Sequence, residues 1–172
     1  MGRLLNLFVD ICLFRAGPQA LPASRFLAWL AALVNLVTGT LVIVDMFPGP
    51  GDALLAQLLD LLLTLGLLRA ALTLLGKRGR LVQTLSALFG AGSFINLVTM
   101  PLQITVGEDP SASLFGELAA LLYLVLILWV LAVTAHILRH AFEIRFGAAL
   151  LVAIGYFFMV NWLIQILFFG TA

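Results

Sequence analysis

Long apolar runs alternate along this chain with short polar turns that carry glycine and proline. Five of the runs reach the length, roughly 20 residues, that an α-helix needs to cross a bilayer. They cover about 24–44, 53–75, 81–106, 114–138 and 146–169. Ser24 suits the N-cap of the first. Pro48, Gly49, Pro50 and Gly51 part the first from the second, and Gly76 and Gly79 part the second from the third. Gly90, Gly92 and Pro101 predict a bend inside the third. The turn over 107–113 is acidic. Connections this short make neighbouring spans antiparallel.

A shorter pattern comes first. Over 3–15, Leu4, Leu5, Leu7, Phe8, Ile11, Cys12 and Phe14 alternate with Arg3, Asn6, Asp10 and Arg15. Arg3, Asn6 and Asp10 fall on one helical face, which predicts an amphipathic helix lying in the headgroup region. Gly17, Pro18 and Pro22 end it. The expected fold is all-α: a polytopic membrane protein of five transmembrane helices preceded by a short interfacial helix, as a single membrane domain over 1–172.

Composition narrows the function classes. Apolar residues make up 63% of the chain and charged residues 10%, where a soluble domain carries roughly a quarter charged. Lipid is therefore the expected solvent, and mean hydropathy is +1.19. A net charge of +1 gives no case for nucleic acid. A single cysteine, Cys12, excludes an intramolecular disulfide and a multi-cysteine zinc site, and reads as a small hydrophobe. Asp10 interrupts the first apolar stretch, so a cleaved signal is not expected. No nucleophile–base pattern, glycine-rich phosphate loop or metalloprotease signature stands out. Neither enzymatic activity nor a cofactor is expected.

Charge orients the bundle. Arg3, Arg15 and Arg25 flank the start of the first span. Arg69, Lys77, Arg78 and Arg80 lie at or near the second junction, and Arg139 and Arg145 flank the last. The opposite junctions carry Asp45, Asp52, Glu108, Asp109 and Glu117. The positive-inside rule then places the amino terminus in the cytoplasm, and five spans place the carboxyl terminus outside. Topology accounts for the basic cluster without a phosphate or nucleic-acid ligand. Leu/Ala-rich spans and tight turns point to a bacterial inner membrane, with a periplasmic carboxyl terminus.

Polar groups inside the spans are the candidate chemistry, because they are costly there and face protein or a cavity. Asp60 lies eight residues in from Asp52, roughly 12 Å along a helix. That is near the middle of a hydrocarbon core about 30 Å thick. Asn35, Asn96, Tyr123 and Asn161 lie at similar depths in the other spans, with Gln165 one turn further out. Three-and-four spacing places Asn35 with Ala28, Ala32 and Gly39, and Asp60 with Gln57 and Thr64. The same spacing places Asn96 with Gln83, Ser86, Gly90 and Ser93, and Asn161 with Phe158 and Gln165. Small and polar residues on one stripe make packing seams between membrane helices. Asn35, Asp60, Asn96, Tyr123, Asn161 and Gln165 are expected to meet as a polar layer. The layer serves either as structural glue or as a proton, ion or small-ligand site centred on Asp60.

His136 and His140 share one helical face and are weak candidates for metal or haem; interfacial histidines are the simpler reading. Arg69 faces away from Asp60 and snorkels toward the basic end. Trp29, Trp129 and Trp162 lie inside spans and read as packing elements.

The layout resembles the Yip1-like family of small five-span membrane proteins, which share a cytoplasmic amino terminus, a short amphipathic lead-in, tight loops and an external carboxyl terminus. The resemblance covers Met1 to Ala172 in topology. The family's aspartate-leucine-tyrosine-glycine-proline signature is absent: residues 15–22 read Arg-Ala-Gly-Pro-Gln-Ala-Leu-Pro, and Gly155-Tyr156 is the nearest fragment. The resemblance implies a non-enzymatic protein that organises partners or lipid. The expected function is thus a structural, accessory or membrane-organising subunit acting through helix contacts. Its expected partners are the lipid bilayer, other membrane subunits or a second copy. The alternative is a small oligomeric permease or an ion- or proton-conducting protein built on Asp60.

Overall fold

A computed structural model describes residues 2–106 and 114–170. The acidic turn over 107–113 lies outside them. Among the described residues there is no strand. Six helices follow in order: α1 Gly2–Cys12, α2 Arg25–Ile43, α3 Pro50–Leu74, α4 Leu81–Val106, α5 Leu114–Phe142 and α6 Phe146–Ile164. The last five are long and apolar enough, with their flanking turns, to cross a membrane. A helix is the natural state for such runs, since it satisfies every backbone group within its own segment.

The helix ends follow from local chemistry. The Ser24 hydroxyl accepts from the Leu27 amide at 3.3 Å, capping α2. Pro50 occupies the first turn of α3, where its missing N–H costs nothing. Gly76, at φ +70°, ends α3 in the left-handed region. The Lys77 amide there reaches back to the Leu72 carbonyl and the Gly76 amide to that of Thr73. Glu143 ends α5 in the same way, at φ 57°, with the Ile144 amide on the Arg139 carbonyl. A glutamate there carries a backbone cost that glycine would not, so its side chain has a compensating role. α4 runs on through Pro101 to Val106, and α6 finishes in a π turn at Gln165–Phe169.

The spans are not packed in sequence order. The parallel pair α2 and α4 makes the most extensive contact, followed by α4 with α5 and α5 with α6. α3 lies mainly on α2. The resulting ring, α3–α2–α4–α5–α6, closes where Tyr156 of α6 reaches Asp60 of α3. Leu68 and Leu72, Phe89, Leu138 and Phe142, and Ala149 and Ala153 pack with Ala31 and Ala32 into one core shared by all five spans. α4 is the most buried span and α6 the least.

α1 docks on the outside of the ring. Ile11 and Cys12 are fully buried among Ala87, Ala91 and Ile95 of α4 and Val133 and Ile137 of α5. The Trp129 indole N–H donates to the Cys12 carbonyl at 3.0 Å. Gly90 lets the Phe8 ring lie directly on α4, where any Cβ would collide with it. Gly90 is nine residues into α4, roughly 14 Å from its start. The second half of α1 is therefore wedged along the α4–α5 groove, beyond what a surface-lying amphipathic helix requires.

Candidate functional site

Two ends of the bundle are chemically distinct. At one, Phe47 after α2 packs edge-on against Phe168 and tilted against Phe169 after α6, with ring centroids 5.5 and 5.2 Å apart. At the other, cations from the α3–α4 turn meet the end of α5. Lys77 pairs with Glu143 at 2.6 Å, and Arg80 pairs with the same carboxylate. Both cations also serve the last turn of α5. Lys77 Nζ donates to the Phe142 carbonyl at 2.7 Å and an Arg80 guanidinium N–H to the His140 carbonyl at 2.8 Å. These carbonyls have no partner within the helix, and a cation at a helix C-terminus also meets the negative end of its dipole. The hydrogen bonds and charges of Lys77 and Arg80 hold the Glu143 carboxyl below its ordinary range.

Glu143 was open to discovery from sequence. It is the one acidic residue at the basic junctions of the spans. It follows His136 by seven residues and His140 by three. Those histidines serve other groups. The His136 Nε2–H donates to the Ala16 carbonyl at 2.9 Å and pins the segment between α1 and α2. His140 Nε2 accepts from Arg139 Nε at 3.4 Å, and its ring lies edge-on to His136 with centroids 4.8 Å apart. Among the described residues no group of three or more His, Cys, Asp or Glu side chains is placed to hold a metal ion.

The intramembrane polar residues form two seams and a remainder, where the sequence reading expected a single layer. The first seam joins α2, α3 and α4. Asn35 is 8% exposed, and its Oδ1 accepts from Gln57 Nε2 at 3.3 Å. One turn on, Asn96 Nδ2 donates to Thr38 Oγ1 at 3.3 Å. Glycines create the space: a Cβ on Gly92 would sit 2.6 Å from Asn35 Nδ2, and one on Gly39 would meet the Gln57 amide. The second seam joins α3 and α6. Tyr156 donates its phenol proton to Asp60 Oδ1 at 2.7 Å, and its oxygen lies 2.6 Å from Thr64 Oγ1. A phenol has one proton to give, so the Thr64 hydroxyl donates in that pair. Asp60 Oδ2 has no hydrogen-bond donor among the described residues.

Tyr123, Asn161 and Gln165 join neither seam. Tyr123 is half-buried and makes no hydrogen bond among the described residues. Asn161 is exposed and donates to the Phe157 carbonyl of its own helix at 2.8 Å; Gln165 is exposed as well. Depth alone cannot place a side chain, because azimuth matters equally. The inward stripe of α6 is Ala149, Ala153, Tyr156 and Val160. Asn161 follows Tyr156 by five residues, a rotation of about 140°. The stripe Phe158–Asn161–Gln165 is real but faces outward. Tyr156 was legible in principle, since it shares three-and-four spacing with Ala149, Ala153 and Val160.

The tryptophans divide between the interior and the surface. Trp129 packs between α1 and the ring, as expected. Trp29 and Trp162 are 72% and 66% exposed, so they are surface rings and not packing elements. Arg69 forms no ion pair among the described residues. No family model, curated protein or solved structure matches this chain.

Proposed function

We propose that this chain is a non-enzymatic integral membrane protein that acts as a structural or accessory subunit, with α6 as the helix that receives a partner's membrane helix. The observation that carries the reading is the outward face of α6. Asn161 and Gln165 sit four residues apart on the least buried span, exposed and with no interhelical partner among the described residues. Polar amides on a lipid-facing surface are expensive, and a partner helix satisfies them. Phe158 and Trp162 flank them on the same surface and give it apolar area to bury. The basic end faces the cytoplasm in this reading, within a bacterial inner membrane, and the exposed first half of α1 meets lipid through Leu4 and Leu5. The Yip1-like layout fits the same role.

The test is purification in mild detergent followed by identification of the accompanying chains. Wild type retains a stoichiometric membrane partner or a second copy, and Asn161→Leu with Gln165→Leu releases it. Retention by the double variant at wild-type level would sink the assignment of α6.

A second reading rests on Asp60 Oδ2, a carboxyl oxygen at membrane depth with no donor from the described residues. It suits a proton- or ion-handling site shared by Asp60, Tyr156 and Thr64. In that reading Asp60→Asn preserves the fold but abolishes proton or cation flux in reconstituted vesicles. Flux identical to wild type would remove it.

A further inference from the structure

A cleft of about 480 Å³ opens at the basic end between α3 and the start of α4. Gly66, Arg69, Ala70 and Thr73 line it from one stripe of α3, and Arg78 and Leu81 line it from the turn and α4. Its two charges are both cationic. Glu143 pairs with both Lys77 and Arg80 nearby, but no carboxylate among the described residues pairs with Arg69 or Arg78. Arg69 lies five residues before the end of α3, about 7.5 Å inside it. Arg69 is exposed, and its unpaired guanidinium snorkels to the headgroup level, where an anion can meet it.

Thr73 points to the same ligand independently. Thr38, Thr40, Thr84 and Thr99 each donate to the carbonyl four residues back on their own helix. The Thr73 hydroxyl makes no hydrogen bond among the described residues, so its proton is available inside the cleft. Two guanidinium forks and a hydroxyl suit a phosphate group. The rest of the wall, Gly66, Ala70, Leu72 and Leu81, is apolar and fits an acyl chain; a Cβ added at Gly66 would meet open space.

We propose that this cleft binds a phosphate group through Arg69, Arg78 and Thr73, and that the apolar wall selects the phosphate of an anionic phospholipid. The site stands on the five-span reading and is independent of the contact on α6. Topology explains why these arginines lie on one side of the bilayer; the cleft adds what they hold there.

The full chain in a neutral detergent is titrated with dioctanoyl-phosphatidylglycerol, with dioctanoylglycerol and with inorganic phosphate. Bound ligand is read by native mass spectrometry and the fold by thermal unfolding. Phosphatidylglycerol binds at least tenfold tighter than dioctanoylglycerol. The pair Arg69→Gln with Arg78→Gln removes that preference, Thr73→Val weakens it severalfold, and Arg145→Gln leaves it intact. Gly66→Leu, which changes no charge and whose Cβ meets no neighbour, weakens the lipid while sparing inorganic phosphate. Equal affinity for inorganic phosphate and lipid, with Gly66→Leu neutral, supports the phosphate site and assigns its source to solution. Unchanged phosphatidylglycerol binding in the double arginine variant, with thermal unfolding intact, overturns the proposal. So does equal binding of the phosphate-free lipid.

Discussion

Glu143 shows how one residue can join a backbone constraint to a charge constraint. It holds a left-handed position that favours glycine, and its carboxylate gathers Lys77 and Arg80 against the end of α5. The pH dependence has a definite sign. The two cations lower the carboxyl in the folded protein, so the pairing contributes fully above the ordinary carboxylate range near 4.5. That contribution is lost as the pH falls through the lowered folded value. Glu143→Gln is expected to lower Tm at pH 7 and to flatten the acid limb of a Tm-against-pH series in detergent. An acid limb as steep as wild type would show that other carboxyls set it. The intramembrane amides illustrate what sequence can and cannot locate. Asn35 and Gln57 lie on the stripes read from spacing, and the glycines that admit them, Gly39 and Gly92, are visible as small residues on α2 and α4. Asn161 and Asn35 have similar depth and chemistry, yet one faces a neighbour and the other faces out. Only the azimuth of each helix in the ring separates them.

The helices themselves were largely legible. Apolar length gives five span-length helices, and glycine, proline and serine mark where they stop. Pairing was less so, because short turns suggest contact between successive spans. The most extensive contact instead joins α2 to α4, whose small residues allow close approach. α1 is the element that departs furthest from its pattern. Its charged face reads as interfacial, but Phe8, Ile11 and Cys12 find a groove with Gly90 and Ala91 at its floor. Such a groove belongs to two distant helices and leaves no local sequence signal. The docking has a chemical reporter. Burial pushes the Cys12 thiol up to about 11 from 9.0, so docking weakens as the pH rises from 9.0 through that value. At pH 8 thiolate is on the order of 0.1%, and alkylation requires α1 to lift away. Trp129→Phe removes the N–H that holds the Cys12 carbonyl, a loss of about 1 kcal/mol. Labelling of Cys12 by a maleimide is expected to accelerate about fivefold. Labelling of wild type at the rate of a free cysteine would contradict the docked α1.

At the scale of the whole molecule, the ring has an inside that is nearly self-sufficient and an outside that is uneven. The seams of Asn35 with Gln57, Thr38 with Asn96, and Asp60 with Tyr156 and Thr64 keep polar groups between helices. The outer surface is apolar over most of α5, where Leu121, Leu124, Val125 and Leu128 are exposed. It turns polar along Asn161 and Gln165 of α6. That contrast sets the most direct measurement of the proposed role. A photo-activatable residue is placed in living cells at position 161, at 165 or at the lipid-facing position 128. Discrete protein adducts at 161 and 165, and none at 128, are the expected result. Lipid adducts alone at all three positions would contradict a partner helix on α6.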